Sequence, residues 1–215
     1  MNHLKERQVS RCLAIIGASG HGKVIAEIAE LLGYEICFFD DAFPEKNHVE
    51  HWPIKGSFKD FLLESNSLAS AVVAIGNAKI RESILIELQS RKIATPTLIH
   101  PSAIVSKYAE VDDACVVMAG AVINAFATIG KGCIINSNSV VEHDCKLADY
   151  VHVCPNSAVA GGTIIGERTW VGIGTNVRQM ISIGADVLIG AGSVVVKDIP
   201  SGQTVIGVPA QVLKQ

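Results

Sequence analysis

Residues 121–147 read AVINAFATIGKGCIINSNSVVEHDCKL, and an aliphatic residue returns in them at every sixth place: Ile123, Ile129, Ile135, Val141 and Leu147. The spacing runs back through Val117 and Val111 to Val105. It runs on through Val153, Val159, Ile165, Val171, Val177, Ile183 and Ile189 to Val195. All sixteen positions are aliphatic in a chain that is 49% hydrophobic, a run that chance gives less than about one time in ten thousand. Four places after each comes a small or β-branched residue, among them Cys115, Cys133, Ser139, Cys145, Thr163 and Thr169. A glycine often follows the aliphatic position, as in Ile129-Gly130, Ile165-Gly166 and Ile183-Gly184.

A six-residue period is the pattern of a parallel β-helix. Each unit supplies a short strand and a turn, and three units close a triangular coil of eighteen residues. Aliphatic side chains stack inside, small residues fill the corners, and successive coils lie ~4.8 Å apart. The unbroken register makes about five coils with no long insertion. The period does not set the hand; general chirality rules favour right-handed crossovers.

Upstream the pattern changes. The apolar run 12–16 (CLAII) stops at Gly17-Ala18-Ser19-Gly20-His21-Gly22, and Val24, Ile25, Ile28, Leu31 and Leu32 follow at helical spacing up to Gly33. A second strand over 35–39 ends in Asp40-Asp41, and a third over 71–75 ends in Gly76-Asn77. A charged helix over 79–91 and a fourth strand near 97–99 complete the unit. Strands alternating with helices predict a parallel sheet. The glycine loop falls at the carboxyl end of the first strand, where such sheets bind ligands and a helix N-terminus favours an anion. Its spacing, Gly17-x-x-Gly20-x-Gly22, is not the GxGxxG dinucleotide pattern. Asp40 stands where an acidic residue meets a ribose or base. A tight strand–helix turn beside a solvated acidic turn is the competing reading.

Bulk properties exclude several classes. The formal net charge of −3 gives no basic footprint for nucleic acid. No apolar run reaches the ~18 residues of a membrane span. The N-terminal segment MNHLKERQVSR is polar, and the apolar run after it is too short for a signal sequence. The six cysteines (Cys12, Cys37, Cys115, Cys133, Cys145, Cys154) have no CxxC pair and read as reduced core residues of a cytoplasmic protein.

His143 lies two places after Val141, on the turn side of the repeat, flanked by Glu142 and Asp144. It points outward, where a neighbouring subunit can meet it. Acids beside an imidazole raise its pKa and hold its tautomer, which suits a general base. Gly161 stacks one coil from His143, so Ala160-Gly161-Gly162 leaves a notch beside the ring with backbone N–H groups for an oxyanion. His152 is half a coil away. The prism offers two histidines, short of the three ligands that a catalytic zinc site takes, so no metal is expected.

The repeat, with VVKDIP at 195–200 and GVPA at 207–210, resembles the left-handed β-helix acyltransferases. GASGHG at 17–22, Asp40-Asp41, AIGN at 74–77, INSNSVVEHDC at 135–145 and His152-Val153 narrow this. Over residues 11–213 the chain is similar to the sugar acyltransferases that include the UDP-N-acetylbacillosamine N-acetyltransferases and the sialic acid O-acetyltransferase-like proteins. The resemblance implies a left hand and a homotrimer binding acetyl-CoA between neighbouring prisms. It implies a Rossmann-like α/β UDP-sugar-binding domain over 1–100 and a left-handed parallel β-helix over 101–215 that binds acetyl-CoA and carries catalysis. Carried over by motif, Ser19, Gly20, His21, Asp40, Asp41, Gly76 and Asn136 meet the UDP-sugar. His143 is the base, with Asp144 raising its basicity where the family pattern has glutamate. His152, Gly161, Ile173, Gly190 and Ala191 contact acetyl-CoA.

The implied reaction is acetylation of the 4-amino group of a UDP-4-amino-4,6-dideoxy-N-acetyl sugar, on the route to UDP-N,N'-diacetylbacillosamine. The alternative is O-acetylation of sialic acid or another sugar hydroxyl. A non-catalytic scaffold and a zinc carbonic anhydrase on the same prism are the remaining readings.

Overall fold

The computed structural model describes residues 12–64 and 70–213; the polar N-terminal segment lies outside the described residues. Strand β1 (Cys12–Ile16) is an interior strand of a five-stranded sheet. Helix α1 (Gly20–Leu31) leads to β2 (Glu35–Phe39). A hairpin of β3 (His48–Val49) and β4 (Trp52–Gly56), then α2 (Phe58–Glu64), β5 (Ser70–Val73) and α3 (Ala78–Ser90) complete the unit. The order is β3-β4-β2-β1-β5, with β1 parallel to both neighbours. The chain therefore reverses its winding at β1, and the carboxyl ends of β1 and β5 flank a topological switch point.

The run 12–16 is an interior strand because it is apolar on both faces. Leu13 and Ile15 pack with Ile25, Ile28 and Phe38, while Ala14 and Ile16 pack with Phe39, Phe61, Leu85 and Leu88. That alternation is the period of two of an extended chain covered on both sides.

The rest is a left-handed parallel β-helix. Its two-residue strands run from Leu98–Ile99 to Val194–Val195, and among these the neighbours on each face pair in parallel eighteen residues apart, as Val122 does with Val140 and Val140 with Ala158. The aliphatic column from Val117 to Val195 is buried in one core with Cys115, Cys133 and Cys145. Buried hydroxyls do not go unpaired: Ser139 Oγ donates to Asn136 O at 2.7 Å and Thr169 Oγ1 to Gly184 O at 2.8 Å. From 114 to 192 every sixth residue sits at positive φ; nine of these fourteen places hold Gly, Asn or Asp, and Ala114, Phe126, Tyr150, Arg168 and Met180 hold the rest. Glycine, Asn and Asp bear that backbone at least cost, which is why they punctuate the repeat.

One expected strand moves. Leu98–Ile99, expected in the α/β sheet, pairs with Val116–Val117 and is the first rung of the prism. Ile99 simply extends the six-residue register one step before Val105. Leu98 faces outward and is fully buried with Val116 and Ile134 beneath the α/β unit. One prism face is therefore the seat of the N-terminal unit. No helix among the described residues is long and apolar enough to cross a membrane.

Candidate active site

The turns of the prism stack into three edges. On the first, Asp144 N–H donates to Ala125 O, Gly162 N–H to His143 O and Met180 N–H to Gly161 O. His143 and Gly161 are thus consecutive rungs of one edge, as the eighteen-residue count requires. The His143 side chain is 63% exposed, and its Nδ1 lies 2.7 Å from Asp144 Oδ2. The carboxylate accepts, so the proton sits on Nδ1 and the Nε2 lone pair is free. The shorter aspartate arm reaches the ring without loss of the hydrogen bond. That bond, with the Asp144 and Glu142 charges, outweighs desolvation and raises the imidazole pKa above 6.5.

Gly161 is what keeps the ring accessible. A Cβ there would stand 2.6 Å from His143 Cε1 and 2.7 Å from Nε2. Around it lies a cleft of about 580 Å³ lined by His143, Asp144, Lys146, Gly162, Ile164, Gln179 and Met180. The edge offers an imidazole with a free Nε2 and an open approach to it.

The other predicted residues gather elsewhere. Asp40 Oδ2 accepts from Ala18 N–H at 2.6 Å and Oδ1 from Ala42 N–H at 2.9 Å, and Lys46 Nζ donates to Ala18 O. Asp40 therefore braces the glycine loop. Asp41 Oδ1 accepts from Phe58 N–H at 3.0 Å, at the start of α2. Ser19 and Gly20 are exposed at the carboxyl end of β1. Gly22 is a packing glycine, since its Cβ would lie 2.4 Å from Gly17 O.

His21, Asn136, His152 and Gly76 meet at the seam between the α/β unit and the prism. The His21 and His152 rings stack with centroids 6.4 Å apart, and Trp170 packs edge-on to His152 at 4.3 Å. Asn136 Nδ2 lies 3.0 Å from His152 Nε2, while its Oδ1 accepts from Ser137 N–H at 2.8 Å, which fixes the amide's orientation. Nε2 is then an acceptor, and neutral His152 carries its proton on Nδ1. His152 is 5% exposed. Burial, with Arg81 and His21 nearby, pushes its pKa down to about 3; burial and Arg81 push His21 to about 4. His152 Nδ1 and His21 Nε2 are buried without a hydrogen-bond partner.

Ile173, Gly190 and Ala191 belong to a third edge, where Gly174 N–H donates to Pro155 O and Gly192 N–H to Ile173 O. The predicted acetyl-CoA residues are thus spread over two edges and the seam, and one chain does not bring them together. Arg81 and Trp170 escaped the sequence reading. A signal existed: the outward residues of the seam face, at eighteen-residue spacing, are Leu98, Val116, Ile134, His152, Trp170 and Leu188. The neighbouring face instead presents Glu110, Thr128, Lys146, Ile164 and Ser182. So apolar an outward column calls for a cover.

Coils of this repeat, an exposed His–Asp pair on one edge and a glycine loop at a switch point define a hexapeptide-repeat acyltransferase with an N-terminal nucleotide-type unit. Comparison with known proteins agrees. Residues 126–161 match the family of bacterial transferase hexapeptide (six repeats), and residues 12–88 match the PglD N-terminal domain. UDP-N-acetylbacillosamine N-acetyltransferase of Bacillus subtilis (strain 168) is 39% identical over 112 residues, 50% of this chain and 51% of that enzyme. The chain spans about half the length of the curated relatives it matches first. The acetyltransferase domain of PglB from Neisseria gonorrhoeae FA1090, solved with acetyl coenzyme A, superposes with a TM-score of 0.90 at 42% identity over 95% of this chain and 100% of that one. PerB from Caulobacter crescentus, solved with CoA and GDP-perosamine, gives 0.89 at 37% identity over 94% and 97%. The chain belongs to the PglD/PglB-type sugar acetyltransferases.

Proposed function

We propose that the protein transfers the acetyl group of acetyl-CoA to the 4-amino group of a UDP-linked 4-amino-4,6-dideoxy-N-acetyl sugar, with His143 as general base. The observation that carries this is the His143 Nδ1–Asp144 Oδ2 hydrogen bond of 2.7 Å beside the notch at Gly161. The amine nitrogen attacks the thioester carbonyl, and its proton passes to His143 Nε2. The Gly161 N–H at the notch stabilises the oxyanion, the N–H groups of Ala160 and Gly162 being engaged by Val177 O and His143 O. The carbon–sulfur bond breaks, and the thiolate leaves as coenzyme A after protonation. Direct attack needs no enzyme nucleophile, and burial raises the pKa of Cys145, the cysteine next to the pair.

The α/β domain is read as the nucleotide-sugar domain. Ser19, Gly20 and the α1 N-terminus face the diphosphate, and Gly76 and Asn136 lie toward the sugar. The unpartnered nitrogens of His21 and His152 fit polar groups of the two substrates, His152 as an Nδ1–H donor toward acetyl-CoA. Ile173, Gly190 and Ala191 complete the acetyl-CoA site from a neighbouring subunit. That requires an oligomer, and a prism face supports one: outward Ile104 is 65% exposed, and Val122, Val140 and Val194 are only partly covered. An uncovered apolar face of this kind fits a homotrimer. A cytoplasmic site of action matches the free cysteines.

A second reading keeps the chemistry and changes the nucleotide to GDP, carried by the likeness to PerB with GDP-perosamine. Release of free thiol from acetyl-CoA, measured with UDP- and GDP-linked amino sugars and with free sialic acid, separates these. Faster turnover with the UDP-sugar is expected. Turnover confined to sialic acid would replace amine acetylation by hydroxyl acetylation.

A further inference from the structure

Arg81 lies in the first turns of α3 and is 1% exposed. A guanidinium so placed ordinarily meets a carboxylate, because an unpaired buried charge is costly. Here every described partner is a backbone carbonyl. Nη1 donates to Ile75 O at 2.9 Å and to Gly76 O at 2.8 Å, on the turn after β5. Nε donates to Gly132 O at 2.8 Å and Nη2 to Tyr150 O at 2.6 Å. Gly132 and Tyr150 stand on consecutive rungs of the prism's middle edge, where Tyr150 N–H donates to Lys131 O. One side chain thus ties three pieces of backbone: a loop at the switch point of the α/β sheet and two coils of the prism. The planar fork of arginine fits this; a lysine ammonium reaches fewer fixed acceptors.

We propose that Arg81 is a positioning residue that pins the Ile75-Gly76 turn, and with it the nucleotide-sugar end of the site, to the prism. The assignment rests on the proposed reading of that end of the site. The close approach it serves is visible at Gly76, whose Cβ would lie 3.8 Å from the Trp170 ring, and at Gly132, whose Cβ would lie 2.8 Å from Leu85 and Tyr150. The titratable groups facing the guanidinium are His21 from α1 and Cys115, Cys133, Tyr150 and His152 from the prism. None is an acid that would neutralise it at pH 7, and its charge adds to burial, the larger cause, in lowering the pKa of both seam histidines.

The test compares Arg81→Met and Arg81→Lys with the unaltered protein. Arg81→Met is expected to raise KM for the nucleotide sugar about tenfold or more while kcat at saturation changes less than about threefold. Amide exchange at Ala74 and Ile80, whose N–H groups donate to Ile16 O and Asn77 Oδ1 on either side of the turn, speeds up with it. Arg81→Lys restores part of both. A folded Arg81→Met with unchanged KM, or with kcat alone reduced, overturns the assignment. So does failure of both variants to fold, which makes Arg81 a folding residue only. Exchange needs no substrate: if the unaltered protein acetylates no nucleotide sugar yet Arg81→Met frees the turn, the clamp stands and the proposed reaction falls. If exchange stays slow, the clamp falls whatever the substrate.

Discussion

The first prism edge and the seam each hold histidines, and they treat them in opposite ways. His143 is 63% exposed, paired with a carboxylate and raised in pKa. His152 is 5% exposed, paired with a neutral amide, faced by a buried arginine and lowered to about 3. The same residue type is an exposed ring with a raised pKa in one place and a buried ring held neutral near pH 7 in the other. The repeat builds both environments by one device, an outward or turn position on a rigid coil. The partner decides the rest: water and an acid at the edge, the α/β unit and Arg81 at the seam.

The sharpest way to break this contrast is to remove each ring in turn. His143→Ala is expected to lower kcat by about 10²–10⁴, the usual contribution of a positioned general base, and to leave Tm essentially unchanged. His152→Ala is expected to cost about 1–3 kcal/mol of stability, because it opens a cavity and strips the Asn136 amide of its acceptor. Steady-state kinetics and thermal melts on both variants decide it. Unchanged turnover in His143→Ala removes the base; an unchanged Tm in His152→Ala removes the structural half of the contrast.

A subtler change sharpens the edge alone. Gly161 has no unusual backbone angle, so alanine is conformationally acceptable there, but its Cβ would press on the imidazole at 2.6 Å. The ring is the free end of a side chain and can swing away. Gly161→Ala is therefore expected to keep the fold and lower kcat about tenfold to a hundredfold, by misplacing Nε2 relative to the thioester. Circular dichroism and Tm alongside kinetics check it. A fully active Gly161→Ala would show that the notch is not the approach to the base.

How much of this was readable beforehand follows from the same contrast. The edge was legible, because an unbroken period converts sequence separation into position: eighteen residues puts Gly161 over His143. The seam was legible only in part. The glycine loop and its strand were plain from CLAII and the glycines, but the bracing of Ala18 by Asp40 was not. Arg81 was hidden in a helix that reads as charged and solvated, with Lys79, Glu82 and Glu87 around it. The strand Trp52–Gly56 carries too little period in five residues to be seen. Burial by another unit is a long-range property, and local pattern records only half of it: the outward apolar column shows that something covers a face, and leaves open which element does.

A change of pH, with no substitution, separates the two regions by sign. His21 and His152 have folded values of about 4 and about 3, below the ordinary 6.5. Above that value both the folded and the unfolded chains hold them neutral, and they add nothing. As pH falls below 6.5 the unfolded chain binds protons that the folded chain refuses, so stability drops, by about 1.4 kcal/mol per histidine per pH unit, until the folded values are reached. His143 acts the other way. Its raised value makes the folded chain the better proton acceptor, so its contribution is present below 6.5 and fades as pH rises. Being exposed, it offsets only a little of the loss. Urea unfolding at several pH values between 7.5 and 5 should show a level stretch down to about 6.5 and a fall below it, with a shallower slope in His152→Asn, which has no proton to refuse. A flat profile over that range would mean that the seam admits a proton. The contrast between the two regions would then be one of exposure alone.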